Sequence, residues 1–221
     1  MFSANAVELT KMIIGIILKY NDENINTDVI WPGKYTYSDI PVEEMINHVF
    51  ENYDADFKNK AKLYNVLVVG KNFGCGSSRE QPAIALKNAG IKAIIAPSFS
   101  RIFYRNAINQ GLPAIISQEI FDDSKTNDEI SISLEEGIAL INYEKTITRT
   151  GRNLPQSATI LDTNKPTYGG AQTDSFTRVN KLYHIPKFPD FLMRILCAEG
   201  LVNYAKLEES EWKFAFFLVT E

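Results

Sequence analysis

Gly70-Lys71-Asn72-Phe73-Gly74-Cys75-Gly76-Ser77-Ser78-Arg79-Glu80 lies between an apolar run, Val66-Leu67-Val68-Val69, and an alanine-rich segment, Ala83-Ile84-Ala85-Leu86. The pattern reads as strand, glycine loop and helix. Gly70, Gly74 and Gly76 let the backbone turn tightly and approach a ligand. The loop delivers two hydroxyls, a guanidinium and a carboxylate to a helix N-terminus, where free N–H groups and the helix dipole favour an anion.

Outward from this loop the chain alternates. The helix after it is expected over 82–89 and stops at Gly90; Lys92-Ala93-Ile94-Ile95-Ala96 is a buried strand. Residues 98–108 carry an amphipathic helical pattern ending at Gly111, and Leu112 to Ser117 is the next strand. Strand–helix repeats with short joints predict an α/β fold with a partly parallel sheet. Upstream, Met12 to Leu18 is a β-branched strand, Pro32-Gly33 is a turn, and Lys34-Tyr35-Thr36-Tyr37-Ser38 is an exposed loop. Residues 41–50 read as a helix with Pro near its start and acids in its first turn. Downstream, 129–134 and 137–141 form a hairpin through Glu135-Glu136-Gly137. Residues 150–182 lack periodicity, so a long surface excursion is expected over about 146–185, before a closing helix from 188 that stops near Gly200. Trp212 to Val219 is an apolar tail.

The chain has 221 residues, 45% hydrophobic and 23% charged, and is expected to form a single domain over 1–221 with its own core. A net charge of -4 argues against sequence-independent nucleic-acid binding. Cys75 and Cys197 are too few for a disulfide framework, which suits a reducing cytoplasm. Met12 to Leu18 is too short for a membrane span or a signal core.

Familiar phosphate motifs fail. Arg79 stands where a dinucleotide fingerprint needs its third glycine, and Lys71 lies at the wrong end for a P-loop. His48 and His184 with no paired cysteines form no metal set of usual spacing, and His48 reads as structural. Ser77 and Ser78 each match a capping box, with Glu80 and Gln81 respectively. One serine is expected to cap the helix, leaving the other hydroxyl free beside Arg79. Arg101 and Arg105, four apart, could meet an anion or simply be solvated.

Three blocks resemble one family in the right order. They are Asn26-Thr27-Asp28-x-Ile30-x-Pro32-Gly33; the loop Gly74 to Glu80 followed by Ala96 to Pro113; and Pro189 to Leu196 with Gly200 to Tyr204. Together they resemble the small subunits of 3-isopropylmalate dehydratase, equivalent to the swivelling domain of aconitase. The resemblance covers about 12–145 and 186–206. It implies a three-layer β/β/α swivelling fold and a hydro-lyase that isomerises a hydroxy-diacid through an alkene, in leucine biosynthesis. It also implies a large-subunit partner carrying a [4Fe-4S] cluster, with no cofactor or metal on this chain. Ser77 would be the base, Arg79 would hold a substrate carboxylate, and Ser78 would support it. Tyr35, Thr36, Tyr37 and Ser38 align with the family's specificity loop. That loop has no Arg or Lys from Tyr35 to Ile40, which favours a small or apolar substituent, since an unpaired carboxylate there would be costly. Lys34 lies close enough to bear on this. The family often has His after Ser-Ser-Arg-Glu; here Gln81 follows. The same subunit acting on 2,3-dimethylmalate, homoaconitate or another hydroxy-diacid is the alternative, as is a non-catalytic anion-binding module.

Overall fold

The computed structural model describes residues 12–147 and 175–209. β1 (Met12–Tyr20) is followed by a one-turn helix α1 (Thr27–Ile30), a 3-10 turn (Gly33–Tyr35), a 3-10 helix (Val42–Asn47) and α2 (Phe57–Lys60). Then come β2 (Val66–Val69), α3 (Gln81–Asn88), β3 (Ala93–Ala96), α4 (Arg101–Asn109), β4 (Ala114–Ile116) and α5 (Gln118–Asp123). β5 (Glu129–Ser133), β6 (Ile138–Ile147), β7 (Ser175–His184) and α6 (Asp190–Cys197) complete the series, with a further helix over 201–209.

All seven strands join one sheet in the order β4-β3-β2-β1-β5-β6-β7. β1 to β4 run parallel, whereas β5, β6 and β7 are antiparallel to their neighbours. β1 belongs to both halves and its burial shows it. Met12, Ile14 and Ile16 face outward where it pairs with β5, while Ile17 and Leu18 are both buried where it pairs with β2. β2 and β3 are buried on both faces, as expected of parallel strands covered on two sides.

The two faces carry separate cores. Leu67, Val69, Ile94 and Ala96 pack with α3, the aromatic face of α4 and the 25–61 segment, around Trp31, Phe50, Phe57, Phe73 and Phe103. Val66, Val68, Ala93 and Ile95 share the other core with Ile130, Ile132, Ala139, Ile141 and Tyr183, together with Ile120, Met193 and Leu196 from α5 and α6. The antiparallel half therefore curls over the parallel half as a second β layer, and the helices around α3 form the third. This is the β/β/α arrangement that the resemblance implied.

Two expectations change. The helix over 41–50 is a 3-10 helix ending at Asn47, because the chain turns through a left-handed Phe50 (φ 56), whose ring is buried and whose N–H is bonded to Ile30 O at 3.1 Å. The excursion over about 146–185 is shorter than expected. β6 extends to Ile147, and Ser175–His184 pair with it over ten registered residues despite their mixed polar sequence. Residues 148–174 and the apolar tail 212–219 lie outside the described residues.

A carboxylate cluster ties β1 to the segment before α2. Asp54 Oδ2 accepts from Tyr20 Oη and Lys60 Nζ, both at 2.6 Å. Burial pushes the Asp54 carboxyl up, but those bonds outweigh it and hold it below its ordinary 3.8. A depressed carboxyl binds fewer protons when folded than unfolded, so its contribution is present above the unfolded value and is lost as pH falls through the folded one. Asp54→Asn is therefore expected to be less stable than the parent at neutral pH, with the gap narrowing below about pH 4. Urea unfolding at several pH values checks this, and a gap that stays constant down to pH 3 would contradict it.

Candidate active site

Residues 22–28 and 70–77 are bound to one another over their length. Asn24 N donates to Lys71 O at 2.8 Å, Gly74 N to Ile25 O at 2.8 Å and Thr27 N to Cys75 O at 2.7 Å. Asn26 caps α1 by accepting from Val29 N at 2.8 Å, which is what the run Asn26-Thr27-Asp28 does locally. The buried Thr27 hydroxyl accepts from Ser77 N at 2.9 Å, fixing the backbone that carries Ser77. From the other side, Ser100 caps α4 and donates its hydroxyl to Gly74 O at 2.6 Å. Asn106 of α4 donates to Arg79 O at 2.9 Å.

The sequence predicts that one serine caps α3. Neither does. The cap position is Glu80, without a side-chain hydrogen bond, and Pro82 lies in the first turn. Proline fits the first turn because its missing N–H costs nothing there, and this starts the helix later than either capping-box register. Ser77 and Ser78 are both exposed, and neither hydroxyl is taken by a group among the described residues. Two free hydroxyls therefore stand where one was expected.

Arg79 is held, with its side chain 15% exposed. Nη2 pairs with Asp28 Oδ1 at 2.5 Å, and Nη1 donates to Thr36 Oγ1 at 2.5 Å. Its buried Nε has no partner among the described residues. A guanidinium fixed by two oxygens, with a donor left over, is suited to receiving a carboxylate without a large loss of side-chain freedom.

The loop candidates divide. Thr36 reaches Arg79 directly. Tyr35 turns away, donating to Glu51 Oε2 at 2.9 Å with its ring centroid 4.1 Å from that of His48. Tyr37 is 99% exposed, and Ser38 is exposed with only a long 3.5 Å bond to Lys34 O. His48 is structural, as read, lying between Tyr35, Trp31 and Glu51. Arg101 and Arg105 are exposed on α4. Sequence reasoning gave no role to Asp28 or Glu51. Asp28 carried a signal, since it lies in the first quoted block. Glu51 carried none, because its partners lie 3 to 17 residues away in chain segments of irregular structure.

Among the described residues, no three His, Cys, Asp or Glu side chains gather where they could hold a metal. No described helix is long and apolar enough to cross a membrane.

Comparison with known proteins matches residues 4–119 to the aconitase C-terminal domain. The 3-isopropylmalate dehydratase small subunit of Clostridium acetobutylicum is 38% identical over 192 residues, which is 87% of this chain and 95% of that protein. The small subunit 1 of the same enzyme from Thermotoga maritima is 39% identical over 195 residues, 88% of this chain and 95% of that one. Among solved structures, the crystal structure of 3-isopropylmalate dehydratase (leuD) from Methanocaldococcus jannaschii superposes with a TM-score of 0.65 at 35% identity, covering 93% of this chain and 99% of its own.

Proposed function

Because the chain belongs to the family of 3-isopropylmalate dehydratase small subunits, built on the aconitase C-terminal domain, we propose that it is the small subunit of a hydro-lyase that isomerises 2- and 3-isopropylmalate in leucine biosynthesis. The observation that carries this reading is the pair of free hydroxyls at Ser77 and Ser78 beside an arginine held by Asp28 and Thr36.

The chemistry follows from these groups. Ser77, as its alkoxide, takes the proton from the carbon next to a substrate carboxylate. The C–H electron pair becomes the alkene as the hydroxyl leaves the neighbouring carbon, and the proton returns when water adds back in the other sense. A serine hydroxyl is a poor base in water, and neighbouring positive charge with the amino end of α3 favours its anion. Arg79 holds a substrate carboxylate through the donors that Asp28 and Thr36 leave free, and Ser78 supports it. The described residues offer no ligand set for a cluster, and the [4Fe-4S] group belongs in this reading to the large subunit, where it supplies Lewis acidity for the departing hydroxyl. The whole chain, 1–221, acts as a single swivelling domain in the cytoplasm.

Geometry also bears on the substrate. Lys34, the cation next to the loop from Tyr35 to Ile40 in sequence, is paired with Glu51 at 2.5 Å. With Lys34 paired and Arg79 holding the first carboxylate, an extra substrate carboxylate at this loop would meet no free cation from residues 34–40, which favours the apolar substituent of isopropylmalate or dimethylmalate.

The test is reconstitution with the iron–sulfur large subunit, followed by assay on isopropylmalate, dimethylmalate and homocitrate. Isopropylmalate is expected to turn over fastest. A native chain that never associates with an iron–sulfur protein would remove the subunit reading. In the same complex, Arg79→Lys is expected to raise KM at least tenfold, because the planar two-donor fork is lost and a hydrogen bond to a charged group contributes about 1.5–3 kcal/mol. Unchanged kinetics would count against Arg79 as the carboxylate holder.

A further inference from the structure

Loop 33–38 is anchored at two points one residue apart. At one, Thr36 Oγ1 accepts from Arg79 Nη1. At the other, the half-buried Glu51 gathers Lys34 and Tyr35. Its side chain is 18% exposed. Oε1 pairs with Lys34 Nζ at 2.5 Å, while Oε2 accepts from Tyr35 Oη at 2.9 Å and lies 3.3 Å from His48 Nδ1. The Tyr35 ring packs against both His48 and Trp31, with centroids at 4.1 and 5.6 Å, and Trp31 is 1% exposed. The intervening backbone is a tight turn, closed by Tyr35 N to Pro32 O and Thr36 N to Gly33 O, each at 3.0 Å. Moving Tyr35 therefore moves Thr36.

We infer that Glu51 is a positioning residue for the substrate-binding arginine: it sets loop 33–38, and through Thr36 it sets the orientation of the Arg79 guanidinium. A second consequence concerns selectivity. Glu51 also pairs with the Lys34 ammonium, which would otherwise offer an unpaired cation beside the loop to an additional substrate carboxylate. One half-buried carboxylate thus orients the wanted cation and neutralises the unwanted one. Burial pushes the Glu51 carboxyl up, but bonds from Lys34, Tyr35 and His48 outweigh this and keep it below its ordinary value, so it carries its charge at neutral pH. The inference rests on the function proposed above for its kinetic part, and on geometry alone for its loop part.

Glu51→Gln keeps the shape and removes the charge. Tyr35→Phe keeps the ring and removes one bond to Glu51, which gives a milder variant should the first fold poorly. Hydrogen exchange on the full chain without its partner reads the loop directly. The amides of Tyr35 and Thr36 are expected to exchange about fivefold faster or more in Glu51→Gln, and less so in Tyr35→Phe, as local opening becomes easier. In the reconstituted complex, KM for isopropylmalate is expected to rise about tenfold, the size of one lost charge-assisted hydrogen bond, with a smaller change in kcat. The preference for isopropylmalate over homocitrate is expected to fall as Lys34 is released. Parent-like exchange in both variants overturns the anchoring, whatever the activity. Faster exchange with unchanged KM and unchanged substrate preference, in a complex that does turn over isopropylmalate, overturns the link to Arg79. A complex of the parent chain that turns over no hydroxy-diacid fails the proposed function instead, and the exchange result still decides the anchoring.

Discussion

Ser77→Ala in the reconstituted complex is expected to reduce kcat by about 10²–10⁴-fold, the range for loss of a positioned acid–base group, while leaving the fold intact. The two halves of this expectation have separate causes. The Ser77 hydroxyl makes no bond among the described residues, so its removal leaves no buried partner unsatisfied. Its N–H, which donates to Thr27 Oγ1 at 2.9 Å, survives the substitution and keeps the backbone in place. An exposed change of this kind stays within about 0.5 kcal/mol of the parent in stability. Ser78→Ala is the control. Its hydroxyl also lacks a partner among the described residues and also does not cap α3, yet its proposed task is only to support the carboxylate. Its loss is therefore expected to be clearly smaller. Steady-state kinetics together with thermal unfolding of all three chains separates these effects. A Ser77→Ala enzyme within a few-fold of the parent would sink the assignment of Ser77 as the base. Equal losses in both variants would move the role to the pair.

Most of the parallel half of this fold was legible because local and global signals agree there. Val66 to Val69 and Ala93 to Ala96 are short apolar runs, the first ending at Gly70 and the second starting shortly after Gly90, and buried parallel strands carry that pattern. β7 was missed for the opposite reason. Ser175–His184 interleave charged, polar and aromatic residues, and they are strand because β6 offers ten backbone partners, which no local window records. The site was half legible. Ser77, Ser78 and Arg79 stand in one contiguous motif. The groups that hold Arg79 come from α1 and from loop 33–38, residues 51 and 43 positions away in the chain. The capping-box reading failed because Pro82 sits in the first turn, so α3 starts at Gln81, past both serines.

Gly74→Ala is expected to be the most damaging small change in the loop, and for reasons a conformational count alone would understate. Gly74 has φ +73, and a Cβ built there falls 2.2 Å from Cγ of Phe103. The left-handed backbone costs an L-residue about 1–2 kcal/mol. Forcing a methyl into a packed core adds about 1–3 kcal/mol. Phe103 has little room to give way, since it is 1% exposed and set edge-on against Phe73 at 5.1 Å. Gly90 isolates the first contribution. It also has a left-handed φ, +93, but the nearest atom to a Cβ there is Ala61 O at 3.8 Å, an ordinary contact. Gly90→Ala is therefore expected to lose about 1–2 kcal/mol, and Gly74→Ala about 2–5 kcal/mol. At about 2–4 °C per kcal/mol for a chain of this size, Gly74→Ala lowers Tm by roughly 4–20 °C, at least twice the drop in Gly90→Ala. Activity separates them further. Displacing Gly74 disturbs its bonds to Ile25 O and Ser100 Oγ, and with them the backbone leading to Ser77, whereas Gly90 lies at the far end of α3. Gly74→Ala is expected to lose most of its turnover at a temperature where it is still folded. If its melting temperature matches that of Gly90→Ala, Phe103 does not pack against this loop as described, and the clamp that aims Ser77 and Arg79 has been assigned to the wrong contacts.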